Sequence, residues 1–331
     1  MSKVETARGA IDSADLGRVL IHEHIFLMDM EYVYNYRPDF FADETIDKAA
    51  ARLNALKAAG IDTIIDLTVL GLGRHMPSMA KAAQKTDLNI IVSTGAYTFD
   101  AAPAPFQFYG PGLLCGAPVE PMIEIFVKDI TEGIAGTGIK AGELKCAIDE
   151  PGLRPGVERV MRAVAQANRA TGTPITVHTA PLHETGLIVQ RVLSEEGVDL
   201  EDVVIGHCGD STDIDYLMRL ADRGSLLGMD RFGVEFFISM EQRVATIAEM
   251  VKRGYAGQLT LSHDCCCWSD FFPRIEEYAR TMPNHNYLHI HNDVIPALLE
   301  AGVSQTDLDA MFVANPRRHF EGTAERFAAR H

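Results

Sequence analysis

Long apolar runs are missing from this chain. No stretch approaches the ~18 uninterrupted apolar residues of a membrane-spanning helix, so no membrane segment is expected. The opening Met1-Ser2-Lys3-Val4-Glu5-Thr6 has no apolar run behind it, so a secretory signal is not expected either and a cytoplasmic location is. Positive charge is scarce. Lys and Arg number 30 against 46 Asp and Glu, a formal charge of −16, which argues against nucleic-acid and anionic-membrane partners. Cysteine is sparse and poorly spaced: Cys115, Cys146, Cys208 and the adjacent Cys265-Cys266-Cys267 contain no C-x-x-C pair. They suit neither a disulfide framework nor a zinc knuckle and read as reduced thiols. Polar linkers and low-complexity segments are also absent, which favours one domain over residues 1–331.

What is present is alternation. Eight β-branched or apolar runs stand at 19–24, 61–67, 88–97, 141–148, 174–179, 203–209, 225–233 and 258–264. Between them lie segments of helical period at 44–59, 76–84, 121–134, 157–170, 183–196, 213–223 and 240–253. In the first, Ile46, Ala49, Leu53 and Leu56 fall at three- and four-residue spacing. Gly60, Gly172, Gly197, Gly224 and Gly254 follow their helices as stop signals. This pattern predicts a single (β/α)8 TIM barrel, of α/β class, with a doubly wound open sheet as the alternative.

Two connections exceed what a structural join needs, at about 98–120 and 265–290. The first is rich in proline and aromatics; the second holds the only tryptophan, Trp268, with Phe271. Both follow strands at the end where barrel active sites are built. Apolar walls for a substrate and a subunit interface are both consistent with them. From the second, Cys266, Trp268 and Phe271 are candidate pocket residues.

The chemistry-bearing residues sit at the ends of the predicted strands. His22 and His24 flank Glu23 in Leu20-Ile21-His22-Glu23-His24, and alternation on a strand puts the two imidazoles on one face and Glu23 on the other. Strand four carries Lys145, strand five ends at His178, strand six at His207 and strand eight at His263-Asp264. Each alone has an ordinary structural reading: a satisfied core histidine, a snorkelling lysine, a turn-capping aspartate. Four histidines, an aspartate and a buried lysine converging on one axis are better explained by a metal site. Glu23 and, by the same alternation, His263 are excluded as ligands. The second His-x-His, His289-Ile290-His291, precedes an apolar helix at 294–301 and reads as loop or helix-start surface. Gly71-Leu72-Gly73 lacks the third glycine of a dinucleotide loop and reads as a turn.

Gly17-Arg18-Val19-Leu20-Ile21-His22-Glu23-His24, Ala141-Gly142-Glu143-Leu144-Lys145, Ile205-Gly206-His207-Cys208-Gly209-Asp210 and Leu261-Ser262-His263-Asp264 resemble the motifs of the phosphotriesterase family of the amidohydrolase superfamily. Val19 departs from the usual threonine of the opening motif. The resemblance implies a binuclear centre of two divalent transition metals, with His22, His24 and Asp264 on one and His178 and His207 on the other. It further implies that Lys145, carboxylated by carbon dioxide to N6-carboxylysine, bridges both together with a hydroxide. Zinc, iron, cobalt and manganese all suit such mixed ligands. Tyr97 at the end of strand three and Arg231 at the end of strand seven resemble the lactonase branch, where they lie over and beside the metals. That implies hydrolysis of lactones, N-acyl-homoserine lactones (quorum signals) first, with organophosphate triesters as by-product substrates, Asp264 moving the proton, and a homodimeric assembly. Hydrolysis of other carboxylic or phosphoric esters, a Schiff-base lyase using Lys145, and a catalytically silent metal-binding protein are the alternatives.

Overall fold

The computed structural model describes residues 2–271 and 279–330; the part of the expected second loop at 272–278 lies outside the described residues. Nine strands form one parallel sheet: β1 Val19–Leu27, β2 Thr63–Asp66, β3 Asn89–Gly95, β4 Ala141–Ala147, β5 Ile175–His178, β6 Val203–Ile205, β7 Leu226–Met229, β8 Leu259–Leu261 and β9 Cys266–Ser269. Their spatial order is β8-β7-β6-β5-β4-β3-β2-β1-β9. The short β9 continues β8 after a break. The backbone N–H of Asp264 donates to the His22 carbonyl at 3.1 Å, that of His24 to the Cys265 carbonyl at 2.9 Å, and Cys266 then pairs with His24. These contacts close the sheet into the expected (β/α)8 barrel.

All seven predicted helices form, within a few residues of their expected ends. The helix Pro155–Thr171 shows why. Val157, Val160, Met161 and Val164 bury one stripe against the sheet, Pro155 opens the first turn, and Gly172 ends it in the left-handed conformation at φ 68°. Each such side chain buried contributes about 1.5–3 kcal/mol over leaving it exposed. Among the described residues, the helices that the sequence pattern does not announce include Met30–Tyr36, Gln305–Asp309 and Asn315–Arg330. Met30–Tyr36 buries only Val33, and Asn315–Arg330 buries Asn315, Pro316, His319, Phe320 and Thr323, a largely polar stripe with no apolar period.

The apolar interior divides in two. Leu20, Ile64, Ile90, Val203 and Leu227 face the helices; Val19, Ile21, Ile65, Ile91, Val204 and Leu226 fill the inside of the barrel. Val19 and Ile21 therefore do not share a side with Glu23, as strict alternation requires. The register of β1 on β2 shifts between Leu20 and Glu23, and this irregularity turns His22 inward as well. His289 also departs from expectation. It is buried and bonded to Asp293 at 2.8 Å, at the start of the helical turn Ile290–Val294, whereas His291 is exposed. Gly71-Leu72-Gly73 is a turn.

Candidate active site

At the C-terminal ends of the strands four imidazoles, a lysine and a carboxylate converge. His22 Nδ1 meets Asp230 Oδ2 at 2.7 Å, and His24 Nδ1 meets Thr68 Oγ at 2.8 Å. Thr68 donates its own hydroxyl proton to Asp66 at 2.6 Å, so it must accept from His24. Both rings thus spend their Nδ1 proton outward and turn a bare Nε2 inward. Those two nitrogens lie 3.4 and 3.2 Å from Asp264 Oδ1, and His22 Nε2 lies 3.3 Å from Lys145 Nζ.

The second pair is arranged alike. His207 Nδ1 meets Asp230 Oδ1 at 2.9 Å and His178 Nε2 meets Asp149 Oδ2 at 2.8 Å. This leaves His207 Nε2 and His178 Nδ1 facing each other at 2.8 Å. Lone pairs opposed at that distance repel unless a proton or a cation lies between them, and burial disfavours the proton: it lowers His178 to about 4 and His207 well below its ordinary value. The donor set is therefore nitrogen- and oxygen-rich, bare and buried, and suits divalent transition metals. His22, His24 and Asp264 form one group able to hold an ion; His22, His207 and Asp230 form a second.

Asp230 has no role in the sequence reading. It accepts from both His22 and His207 and from the His207 backbone N–H at 2.8 Å. Burial would raise its carboxyl, yet the two imidazoles outweigh that and hold it well below the carboxylate range. Space for it comes from glycine. A Cβ on Gly228 would stand 2.5 Å from Asp230 Oδ2, and one on Gly206 would stand 2.7 Å from the Val177 carbonyl. The inward period from Leu226 through Gly228 to Asp230 was the available signal, masked by the charged Arg231 next to it.

Two aiming residues are strained. His207 and Asp264 take φ of 62° and 56°, the left-handed region that non-glycine residues avoid. From inward-facing Val204, alternation would turn His207 outward, and the twist brings its side chain into the site; outward-facing Leu259 and Leu261 already place Asp264 inward. Glu23 points away from the centre, as expected, and has its own task. Its Oε1 accepts from Ser262 Oγ, the His263 backbone N–H and His263 Nδ1 at 2.8–2.9 Å, and its Oε2 from the Cys265 N–H at 2.9 Å. His263 Nε2 accepts from the Ile290 N–H at 3.1 Å, which fixes its proton on Nδ1. Glu23 and His263 together clamp the segment that presents Asp264.

Lys145 is buried, and desolvation, opposed by Asp264 and Asp230, lowers its amine to about 8. Arg231 donates from Nε to Asp264 Oδ2 at 3.1 Å and from Nη1 to Asp210 Oδ2 at 3.0 Å. Burial opposes its charge, but Asp264 and Asp210 hold it raised. Burial likewise raises Tyr97, whose hydroxyl lies 3.4 Å from His178 Nδ1 and stays protonated.

A cavity of about 250 Å³ opens above this floor, walled by Leu72, Phe236, Phe237, Cys266, Phe271 and Met282 among others. Cys266 and Phe271 line it as expected; Trp268 does not. The strand β9 carries Trp268 on past the site, where its ring packs on Phe40 at 4.8 Å with the Arg37 guanidinium at 5.2 Å. The first loop also contributes less than expected. Among the described residues, Phe99 packs on Tyr97 and His178, while Phe108 and Tyr109 are exposed. The segment after β7, with Phe236 and Phe237, supplies the apolar wall instead.

The sequence profile of the Phosphotriesterase family matches residues 2–320. The chain belongs to the phosphotriesterase family. It is 55% identical over 323 residues to a phosphotriesterase homology protein of Mycobacterium tuberculosis, covering 97% of this chain and 98% of that one. It is 37% identical over 315 residues to the aryldialkylphosphatase of Saccharolobus solfataricus, covering 95% and 98%. The solved structure of the phosphotriesterase from Mycobacterium tuberculosis superposes with a TM-score of 0.94 at 54% identity, covering 97% and 98% of the two chains. Family membership makes the barrel that of a hydrolase.

Proposed function

We propose that this phosphotriesterase-family protein is a binuclear metal-dependent lactonase that opens N-acyl-homoserine lactones, with slower hydrolysis of organophosphate triesters. The observation that carries the reading is an apolar cavity set directly on a floor of bare, buried metal-competent nitrogens with Tyr97 and Arg231 beside them. His22, His24 and Asp264 would hold one metal and His178 and His207 the other, with the Lys145 carbamate between. When bound, the metals supply Lewis acidity toward the ester carbonyl and make water nucleophilic near neutral pH.

The chain's own groups do the rest. The amine of Lys145, lowered to about 8, is neutral in a substantial fraction of molecules near pH 8. Its lone pair adds to carbon dioxide, releasing one proton and leaving a carbamate anion. Tyr97, kept protonated, donates toward the oxygen on which charge develops. Asp264 accepts the proton of the attacking water and returns it to the leaving alkoxide, so water adds across the ring C–O bond. Arg231 holds Asp264 Oδ2 in place throughout. Leu72, Phe236, Phe237 and Phe271 exclude water and cover an acyl tail. The homoserine ring and its acyl tail match this combination of polar floor and apolar wall better than a compact polar ester does.

A pH-stat assay tests the substrate. Long-chain and short-chain acyl-homoserine lactones are compared with paraoxon and simple alkyl lactones. Faster turnover of the acyl-homoserine lactones supports the reading; rapid triester or other ester hydrolysis without lactone turnover contradicts it.

A further inference from the structure

Arg243 is a buried cation that the chemistry above leaves unused. It lies on the helix Met240–Lys252, whose Ser239 capping box fixes its first turn, and only 2% of it is exposed. Its guanidinium donates to Asp210 Oδ1 at 2.7 Å, to the Gly209 carbonyl at 3.1 Å and to the Val234 carbonyl at 2.7 Å. Asp210 passes the line on through Oδ2 to Arg231, and Arg231 passes it to Asp264. A continuous chain of charge-assisted hydrogen bonds therefore runs from the outer helix to the site. A branch reaches the pocket wall, because Val234 begins the segment bearing Phe236 and Phe237, and the Arg231 guanidinium lies 5.2 Å from the Phe237 ring.

Burying a guanidinium is costly unless its donors are satisfied, and an aliphatic side chain would fill the same space without that penalty. Packing alone does not explain why the donors reach two carbonyls on separate strand-end segments and the carboxylate that joins them. A planar fork with several donors can hold three acceptors at once; a lysine ammonium on a flexible stem cannot hold them in one plane.

We propose that Arg243 is a positioning residue that locks the end of β6 and the segment after β7 to each other, and through Asp210 sets Arg231 against Asp264. The activity arm of its test rests on the hydrolase reading above; the exchange arm does not. Backbone hydrogen exchange and steady-state kinetics are measured on Arg243→Gln, Arg243→Lys, Asp210→Asn and the Arg243→Gln/Asp210→Asn double variant, each as full-length protein. In Arg243→Gln, exchange across residues 207–211 and 232–238 is expected to quicken roughly tenfold while β2 to β4 stay protected. Its kcat/KM on whichever ester the wild type hydrolyses should fall about 10–100-fold, mainly in kcat. The double variant should fall no more than about 3-fold below the worse single, because both act through one line of bonds. Arg243→Lys should keep 207–211 protected and loosen 232–238. Unchanged exchange in both segments of a folded Arg243→Gln, or losses that multiply in the double variant, would overturn the proposal. If Arg243→Gln fails to fold, wild-type protection of 232–238 in Arg243→Lys overturns it in its place. A wild type inactive on every ester defeats the hydrolase reading and leaves the exchange result to decide this one.

Discussion

Lys145 and Asp230 do opposite jobs with the same burial. Burial makes the amine neutral enough to carboxylate; two imidazole protons keep the carboxylate charged against it. Lys145→Ala is expected to abolish hydrolysis, and a short-chain carboxylic acid should partly restore it by occupying the carbamate's place. Failure of any such acid to restore activity in a folded variant counts against the bridge. Asp230→Asn replaces one acceptor oxygen with a donor that faces an imidazole N–H, so one histidine must flip or turn away. Metal affinity should drop about 10–100-fold, read by competition with a chromogenic chelator. The legibility of these residues in sequence differs for a physical reason. His22, His24, Lys145, His178, His207 and Asp264 each break an apolar run at a strand end, where a polar group is conspicuous. Asp230 stands beside Arg231 in Gly228-Met229-Asp230-Arg231, and a neighbouring charge hid a carboxylate whose slot exists only once two glycines from separate strands face each other.

At the scale of elements, strand and helix periods were legible wherever burial is apolar. They failed where it is polar, as in Asn315–Arg330, and where a strand is interrupted, as between β8 and β9. Strict alternation gave the right outcome for Glu23 by an incomplete route, since the register shift in β1 is what keeps Val19, Ile21, His22 and His24 all inward. The interrupted strand matters because Glu23 spans it. Glu23→Gln keeps the shape but cannot accept from all four donors as a charge, so Asp264 should lose its fixed position. Activity is expected to fall by about tenfold or more, with a lower thermal midpoint, since leaving a buried donor unsatisfied costs about 1–3 kcal/mol. The pocket wall makes a separate expectation. Phe237→Ala, 42% exposed at the cavity mouth, should raise KM for long-chain lactones while kcat on short-chain ones changes less than about 3-fold.

The whole molecule inherits the site's electrostatics. Burial lowers the His22, His178 and His207 imidazoles, so the native state holds them neutral while the unfolded chain binds protons near the ordinary value of 6.5. Stability supplied by neutral histidines is present above 6.5 and is lost as pH falls through the folded value, about 4 for His178. Metal-stripped protein should therefore lose on the order of 2 kcal/mol through His178 between pH 7.5 and pH 5, with His22 and His207 adding in the same direction, read from denaturant midpoints. Metal-loaded protein should resist until its ligands protonate. Among the described residues no helix is long and apolar enough to cross a membrane. The homodimer implied by the resemblance should appear in sedimentation equilibrium as a species of twice the chain mass.

We propose that bare, buried nitrogens around Lys145 hold two metals that the reaction requires. Chelator-treated protein titrated with zinc in the presence of bicarbonate tests it most directly, with lactone hydrolysis and bound metal followed together. Activity rising to a plateau at two metal ions per chain, and failing to rise when bicarbonate and carbon dioxide are excluded, is the expected result. Full activity in metal-free protein, or a plateau with no metal retained, would contradict it.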